Sequence, residues 1–152
     1  MSDVEIKPNS TLPIQFSVML KNRAGALSSL VRLLKTENID VIGLSIQDSK
    51  DAAVVRIIVS DPDTTMRIFM EKGIPHTTSE IAVIAITDTA GGLARALDTL
   101  RAAETNVDFA YSLISHPEGK SLLAMHLEDT KFGMSVLHKA GFRVFYEEDL
   151  LR

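Results

Sequence analysis

The chain has 152 residues, with 16 Lys and Arg against 20 Asp and Glu, 45% hydrophobic residues and no Cys or Trp. A chain of this length buries roughly 70% of its unfolded surface, enough for one core or two small cores that lean on each other, so disorder as the main state is excluded. Without Cys there can be no disulfide, thiolate nucleophile, iron–sulfur cluster or Cys-based zinc site, and a net charge of −4 makes no general field for phosphate backbones or anionic lipid.

Residues 1–13 include Asp3, Glu5, Lys7 and Pro8 and lack the basic-then-apolar layout of a signal peptide; residues 1–11 are expected to be a flexible leader of a cytoplasmic chain. Ile14, Phe16, Val18 and Leu20 alternate with polar residues, as in a half-buried strand. A helix is predicted over 26–37, with Leu27, Leu30, Val31 and Leu34 as its buried face. Ile39 to Gln47 reads as a second strand, Ser49-Lys50-Asp51 as a turn, and Val54 to Val59 as a third strand. Asp61-Pro62 looks like an N-cap with Pro at the first helical position, opening a helix that carries Met66, Phe69 and Met70 and stops at Gly73. A fourth strand is predicted from about Ile74. The longest apolar run, Ile81 to Ile86, is far short of the roughly 20 residues of a membrane helix.

The second half repeats the first. Leu20-Lys21-Asn22-Arg23-Ala24-Gly25-Ala26-Leu27 matches Ile86-Thr87-Asp88-Thr89-Ala90-Gly91-Gly92-Leu93 at a shift of 66, and Leu30, Val31 and Leu34 fall on Ala96, Leu97 and Leu100. Further on the shift is 68, pairing Asn38-Ile39-Asp40 with Asn106-Val107-Asp108, Asp61 with Asp129, and Gly73 with Gly141; this places two extra residues near the end of the second copy's first helix. His116-Pro117-Glu118-Gly119 reads as a hairpin turn. Each copy has the order β-α-β-β-α-β, so the fold class is α+β: two tandem ferredoxin-like units, residues 12–78 and 79–152, each an antiparallel sheet with its helices on one face. The second copy's first strand is apolar on both sides, with Ala82, Ile84 and Ile86 on one and Ile81, Val83 and Ala85 on the other. Its second face needs a cover, either the tandem partner or another chain, or else the chain's own tail.

Two such units in series, each with Asn or Asp, then Ala-Gly, a small residue and Leu between first strand and first helix, resemble tandem ACT domains. Ala24 and Ala90 stand where that family usually has Pro. The segment Glu37-Asn38-Ile39-Asp40-Val41-Ile42 is similar to the matching segment of aspartate kinase ACT repeats, which implies that Asn38 and Asp40 face an effector, with Asn106 and Asp108 supplying the same chemistry in the second copy. The resemblance runs from about Leu12 to Leu151 and implies a stand-alone, non-catalytic regulatory pair that assembles as a homodimer.

The chemistry of a free amino acid suits these loops. Its carboxylate can sit on the unpaired N–H groups at a helix start, Gly25 and Gly91 let the backbone come close, and Ala26 and Gly92 add little bulk. Its ammonium needs oxygens, which Asn22, Asp88, Asn38, Asp40, Asn106 and Asp108 supply if the loop of one unit faces the second strand of the other. The candidate ligand-binding set is therefore Asn22, Arg23, Ala24, Gly25, Ala26, Leu27, Asn38, Asp40, Asp88, Thr89, Ala90, Gly91, Gly92, Leu93, Asn106 and Asp108. Asp88 would repel a ligand carboxylate, which favours the first loop, and Arg23 is either solvent-facing or a partner for an acidic effector.

The competing reading is an interaction module, with the loops as plain turns, that assembles with a metabolic enzyme or regulator without binding a ligand. His76, His116, His126 and His138 show no close metal-ligand spacing, Asp61 and Asp129 read as helix caps rather than an acid–base pair, and Glu147-Glu148-Asp149 reads as a solvated tail. No catalytic residues, metal or cofactor are expected. The sheet lacks the paired aromatics and flanking basic residues of RNA-binding units with this topology, so neither nucleic acid nor membrane is an expected partner.

Overall fold

The computed structural model describes residues 11–21, 25–48, 52–88 and 90–151. In the first unit β1 (Ile14–Lys21), α1 (Ala26–Thr36), β2 (Val41–Asp48), β3 (Ala52–Val59), α2 (Pro62–Lys72) and β4 (His76–Glu80) follow in order. The second unit has β5 (Ala82–Ala85), α3 (Gly91–Ala102), β6 (Val107–Ser112), β7 (Leu122–Leu127), α4 (Thr130–Lys139) and β8 (Val144–Phe145), and ends in α5 (Glu147–Leu150). The strands form two four-stranded antiparallel sheets, ordered β2-β3-β1-β4 and β6-β7-β5-β8. These are the two ferredoxin-like units the repeat predicts. No helix among the described residues is long and apolar enough to cross a membrane.

Local chemistry sets the element ends. The Asp61 carboxylate accepts from the Thr64 N–H at 3.1 Å, and the Asp129 carboxylate accepts from the Phe132 N–H at 3.1 Å, so α2 and α4 open on matched caps. Gly73, with φ of 65°, closes α2 in the left-handed conformation. The second strand starts later than predicted, at Val41, because residues 37–40 close α1: Asn38 takes φ of 57° and the Ile39 N–H donates to the Leu34 carbonyl.

Each sheet packs its helices on one face. Phe16, Val18, Val55 and Ile57 meet Leu30, Leu34 and Phe69 in the first core, and Ile84, Met125 and Leu127 meet Ala96, Leu100 and Leu137 in the second. The predicted helix face is too wide. Val31 is 38% and Leu97 42% exposed, leaving Leu30 with Leu34 and Ala96 with Leu100 as the buried stripes; Met70 of α2 is exposed as well.

The place of the two-residue insertion is also corrected. Asn38 at φ 57° corresponds to Glu104 at φ 55°, and the β2–β3 irregularity at Val41/Gly43 corresponds to the β6–β7 one at Val107/Phe109, so the shift of 66 persists through the second strand. Beyond the hairpin Ile57, opposite Leu44, corresponds to Met125, opposite Ala110. The extra residues therefore lie in the β6–β7 connection, where a 3-10 turn forms at Pro117–Gly119. Asp40 thus corresponds to Asn106, and Asp108 to Ile42, not Asp40. A shift read from chance identities in short polar segments cannot place an insertion; backbone register can.

The second face of the second sheet is covered from two sides. Ile42 and Ile58 of the first unit and Leu150 of α5 cluster with Ile81, Val83, Leu122, Ala124 and Phe145. The chain end is therefore no solvated tail: α5 buries Leu150, and Arg143 pairs with Asp149 at 3.7 Å and with Glu118 at 3.1 Å. Burial and the charge of Asp63 on α2 raise the Glu147 carboxyl above its usual value. Edge strands β2 and β6 meet where Gly43 bridges Leu113 and the Ile114 N–H donates to the Ile42 carbonyl at 2.7 Å. Between the sheets, the Tyr111 hydroxyl donates to the fully buried Gln15 side chain at 2.7 Å, and burial pushes that hydroxyl's pKa well above the ordinary tyrosine value. The Arg56 guanidinium lies 3.9 Å from the centre of the Phe109 ring. Leu12 packs in the second core, and the Ile81 N–H donates to the Pro13 carbonyl at 3.0 Å.

Gly43 is the point of closest approach: a Cβ there would lie 2.6 Å from Leu113 Cδ2 and 3.3 Å from Ile58 Cδ1. Gly43→Val is expected to cost about 1–3 kcal/mol by overpacking, read as a lower urea midpoint. Asp61→Ala is expected to cost about 1 kcal/mol at pH 7. Hydrogen bonds from Thr64 hold the Asp61 carboxyl below its usual 3.8, so its contribution is complete above that value and is lost as pH falls through the lowered one. Urea melts of the variant and the parent should therefore converge in strong acid.

Candidate functional site

The four long helix starts divide into two kinds. Asp side chains cap α2 and α4, whereas α1 and α3, which follow the two candidate loops, have no side-chain cap among the described residues. An uncapped start leaves backbone N–H groups available to an anion or to water. At α1 the cap residue is Gly25, with φ of 87°, and the Ser29 N–H donates to its carbonyl at 2.9 Å. At α3 the Asp88 side chain folds against the helix start, with Oδ2 2.7 Å from where a Cβ on Gly91 would lie. The Asp88 carboxylate thus stands against the first residue of α3.

Two grooves adjoin these helix starts. The first, about 670 Å³, lies within the first unit between Met19 and Lys21 of β1, Gly25 and Ser29, and the Gly73–Pro75 connection. The second, also about 670 Å³, lies at the junction of the units: Ile86 and Leu93 from the start of α3 face Leu44 of β2, with Ile114, His116 and Ser121 along the β6–β7 connection. A loop of one unit therefore does face the second strand of the other. The facing residue is Leu44, however, and not the polar segment at the strand's beginning.

The predicted oxygens stand elsewhere. Asp40 is exposed and lines a third cavity of about 480 Å³, opposite Ser115, His116 and Pro117, and its backbone N–H donates to Ser60 Oγ. Asn38 closes α1 at the end opposite Gly25, about 16 Å away for an 11-residue helix. Asn106 is exposed and its carbonyl accepts from the Glu128 N–H. Asp108 pairs with His126 at 2.8 Å, and the His126 ring stacks on Phe109. Within one chain these groups do not converge on either helix start. Leu27 packs against the first core, Gly92 is buried, and Leu93 is 39% exposed at the junction groove. Ala26 lines the first groove, and Ala90 is the cap residue of α3. Asn22, Arg23, Ala24 and Thr89 lie outside the described residues.

Sequence reasoning missed Leu44, Ile114 and His116 as groove residues. Ile114, 56% exposed in a hairpin connection, is a large apolar side chain where turn residues are expected, and was the available signal. Among the described residues no group of three acidic or histidine side chains is placed to hold a metal ion.

The family model described as an ACT domain pair matches residues 11–152. The chain belongs to this family of ACT domain pairs. Among solved structures, protein BT0572 from Bacteroides thetaiotaomicron is similar, with 24% identity and a TM-score of 0.85, over 95% of this chain and 99% of that one. The ligand-free regulatory subunit of aspartate kinase from Thermus thermophilus aligns at 10% identity and a TM-score of 0.57, over 92% of this chain and 99% of that one. These likenesses establish the shared fold. No curated protein matches the sequence.

Gly25 has open space around its Cα but a left-handed backbone. Gly25→Val is therefore expected to cost about 1–2 kcal/mol through strain alone, with Gly25→Asn costing less, measured by urea denaturation.

Proposed function

We propose that this protein is a regulatory module that binds a free amino acid at the junction of its two ACT units and passes the bound state to a partner enzyme or regulator. The observation that carries the reading is the junction groove, which takes walls from the start of α3 in one unit and from β2 in the other. A ligand there touches both units, so its binding energy depends on how they are docked, and a ligand can shift an equilibrium only by such differential contact. The start of α3, which has no side-chain cap among the described residues, adjoins the groove. Residues that do not converge within one chain, Asn38, Asp40, Asn106 and Asp108, could reach a ligand only from a second copy, and a homodimer in the cytoplasm belongs to the same proposal.

A second reading, an assembly module without a ligand, draws on the exposed apolar side chains Met19, Val31, Ile46 and Leu97. The two readings separate in a thermal-shift panel of the twenty amino acids. A ligand at about a hundred times its dissociation constant should add about 2.7 kcal/mol of stability. No shift with any of them, together with a stable dimer by light scattering, would favour assembly alone.

A further inference from the structure

The junction groove is lined mainly by aliphatic side chains. Leu44, Ile86, Leu93 and Ile114 present aliphatic carbon, and the polar lining residues are Ser112, His116 and Ser121, which flank Ile114 and Leu122 on the β6–β7 side. Among the described residues no Asp, Glu, Lys or Arg lines it. Leu93 and Ile114 are among the exposed large hydrophobic residues, so this aliphatic surface is open within the chain rather than already packed.

From this aliphatic, uncharged lining we infer that the effector is an amino acid with an uncharged, apolar side chain, which packs against Leu44, Ile86, Leu93 and Ile114 while its polar head meets Ser112, His116 or Ser121. The inference rests on the amino-acid-binding reading and names the ligand class for the same groove. A charged side chain laid on that wall would lose water and gain no counter-ion, which disfavours lysine, arginine, aspartate and glutamate. An apolar one gains with every carbon it buries, about fourfold in affinity per methylene. The first-unit groove differs, since Lys21 and Ser29 stand in its wall.

Isothermal titration of the full chain with leucine, isoleucine, valine, phenylalanine, alanine, lysine and aspartate tests this. Leucine or isoleucine should bind about fourfold tighter than valine, and alanine, lysine and aspartate at least tenfold weaker than valine. Leu93→Asp and Ile114→Asp, two exposed positions checked for folding by circular dichroism, should each weaken leucine binding at least tenfold. Ser29→Asp, in the first-unit groove, should leave it within twofold. Binding of charged amino acids in preference to apolar ones would overturn the ligand class and leave the amino-acid-binding reading standing. Leucine binding that survives both junction variants but is lost in Ser29→Asp would overturn the choice of groove. No binding of any amino acid, with a change of dimer size in the junction variants, would overturn both and mark the wall as a contact between copies.

Discussion

The second sheet has two apolar faces, and the structure depends on how the second of them is covered. One face receives α3 and α4; the other, with Ile81, Val83, Leu122, Ala124 and Phe145, would be left in water if the unit stood alone. Its cover is the first unit's Ile42 and Ile58 together with α5. The first sheet's corresponding face is more polar, carrying Gln15, Ser17 and Arg56, so the two halves are not interchangeable in spite of their common ancestry in sequence pattern. One supplies apolar surface and the other partly covers it. Units of about 70 residues are marginal alone, and this junction is where they share stability.

The polar groups at the junction are arranged to make that docking specific. Gln15 is fully buried and would be costly without a partner; Tyr111 from the other unit supplies one. Arg56 of the first unit spreads its guanidinium over the Phe109 ring of the second. Gly43 permits the close approach, because a Cβ there would crowd the Leu113 and Ile58 side chains. Together with the backbone hydrogen bond from Ile114 to Ile42, these contacts tie β2 of one unit to the end of β6 in the other.

The groove proposed as the binding site follows from the same contact. The bridge between β2 and the end of β6 brings Leu44 opposite the start of α3, and the β6–β7 connection, tied down through Glu118 and Arg143, forms the third side. Binding and docking are therefore one mechanical problem: a ligand on this wall meets residues of both units.

The sequence by itself determined the element order, the duplication, the matched caps at Asp61 and Asp129, the helix stop at Gly73, and through these the family. The elements and their caps are each encoded within about ten residues, in periodicity and in the backbone preferences of Asp, Pro and Gly, and the duplication shows as the same short patterns recurring at a shift of 66. Even the need for a cover was legible, in the two-sided apolar strand from Ile81 to Ile86. Only the tertiary structure decided what provides that cover, that Asp40 and Asp108 are not equivalent, and that Leu44 rather than a polar side chain faces the second loop. Those outcomes rest on contacts such as Gln15 with Tyr111, 96 residues apart, whose pairing depends on how two twisted sheets dock and leaves no periodic trace in either strand.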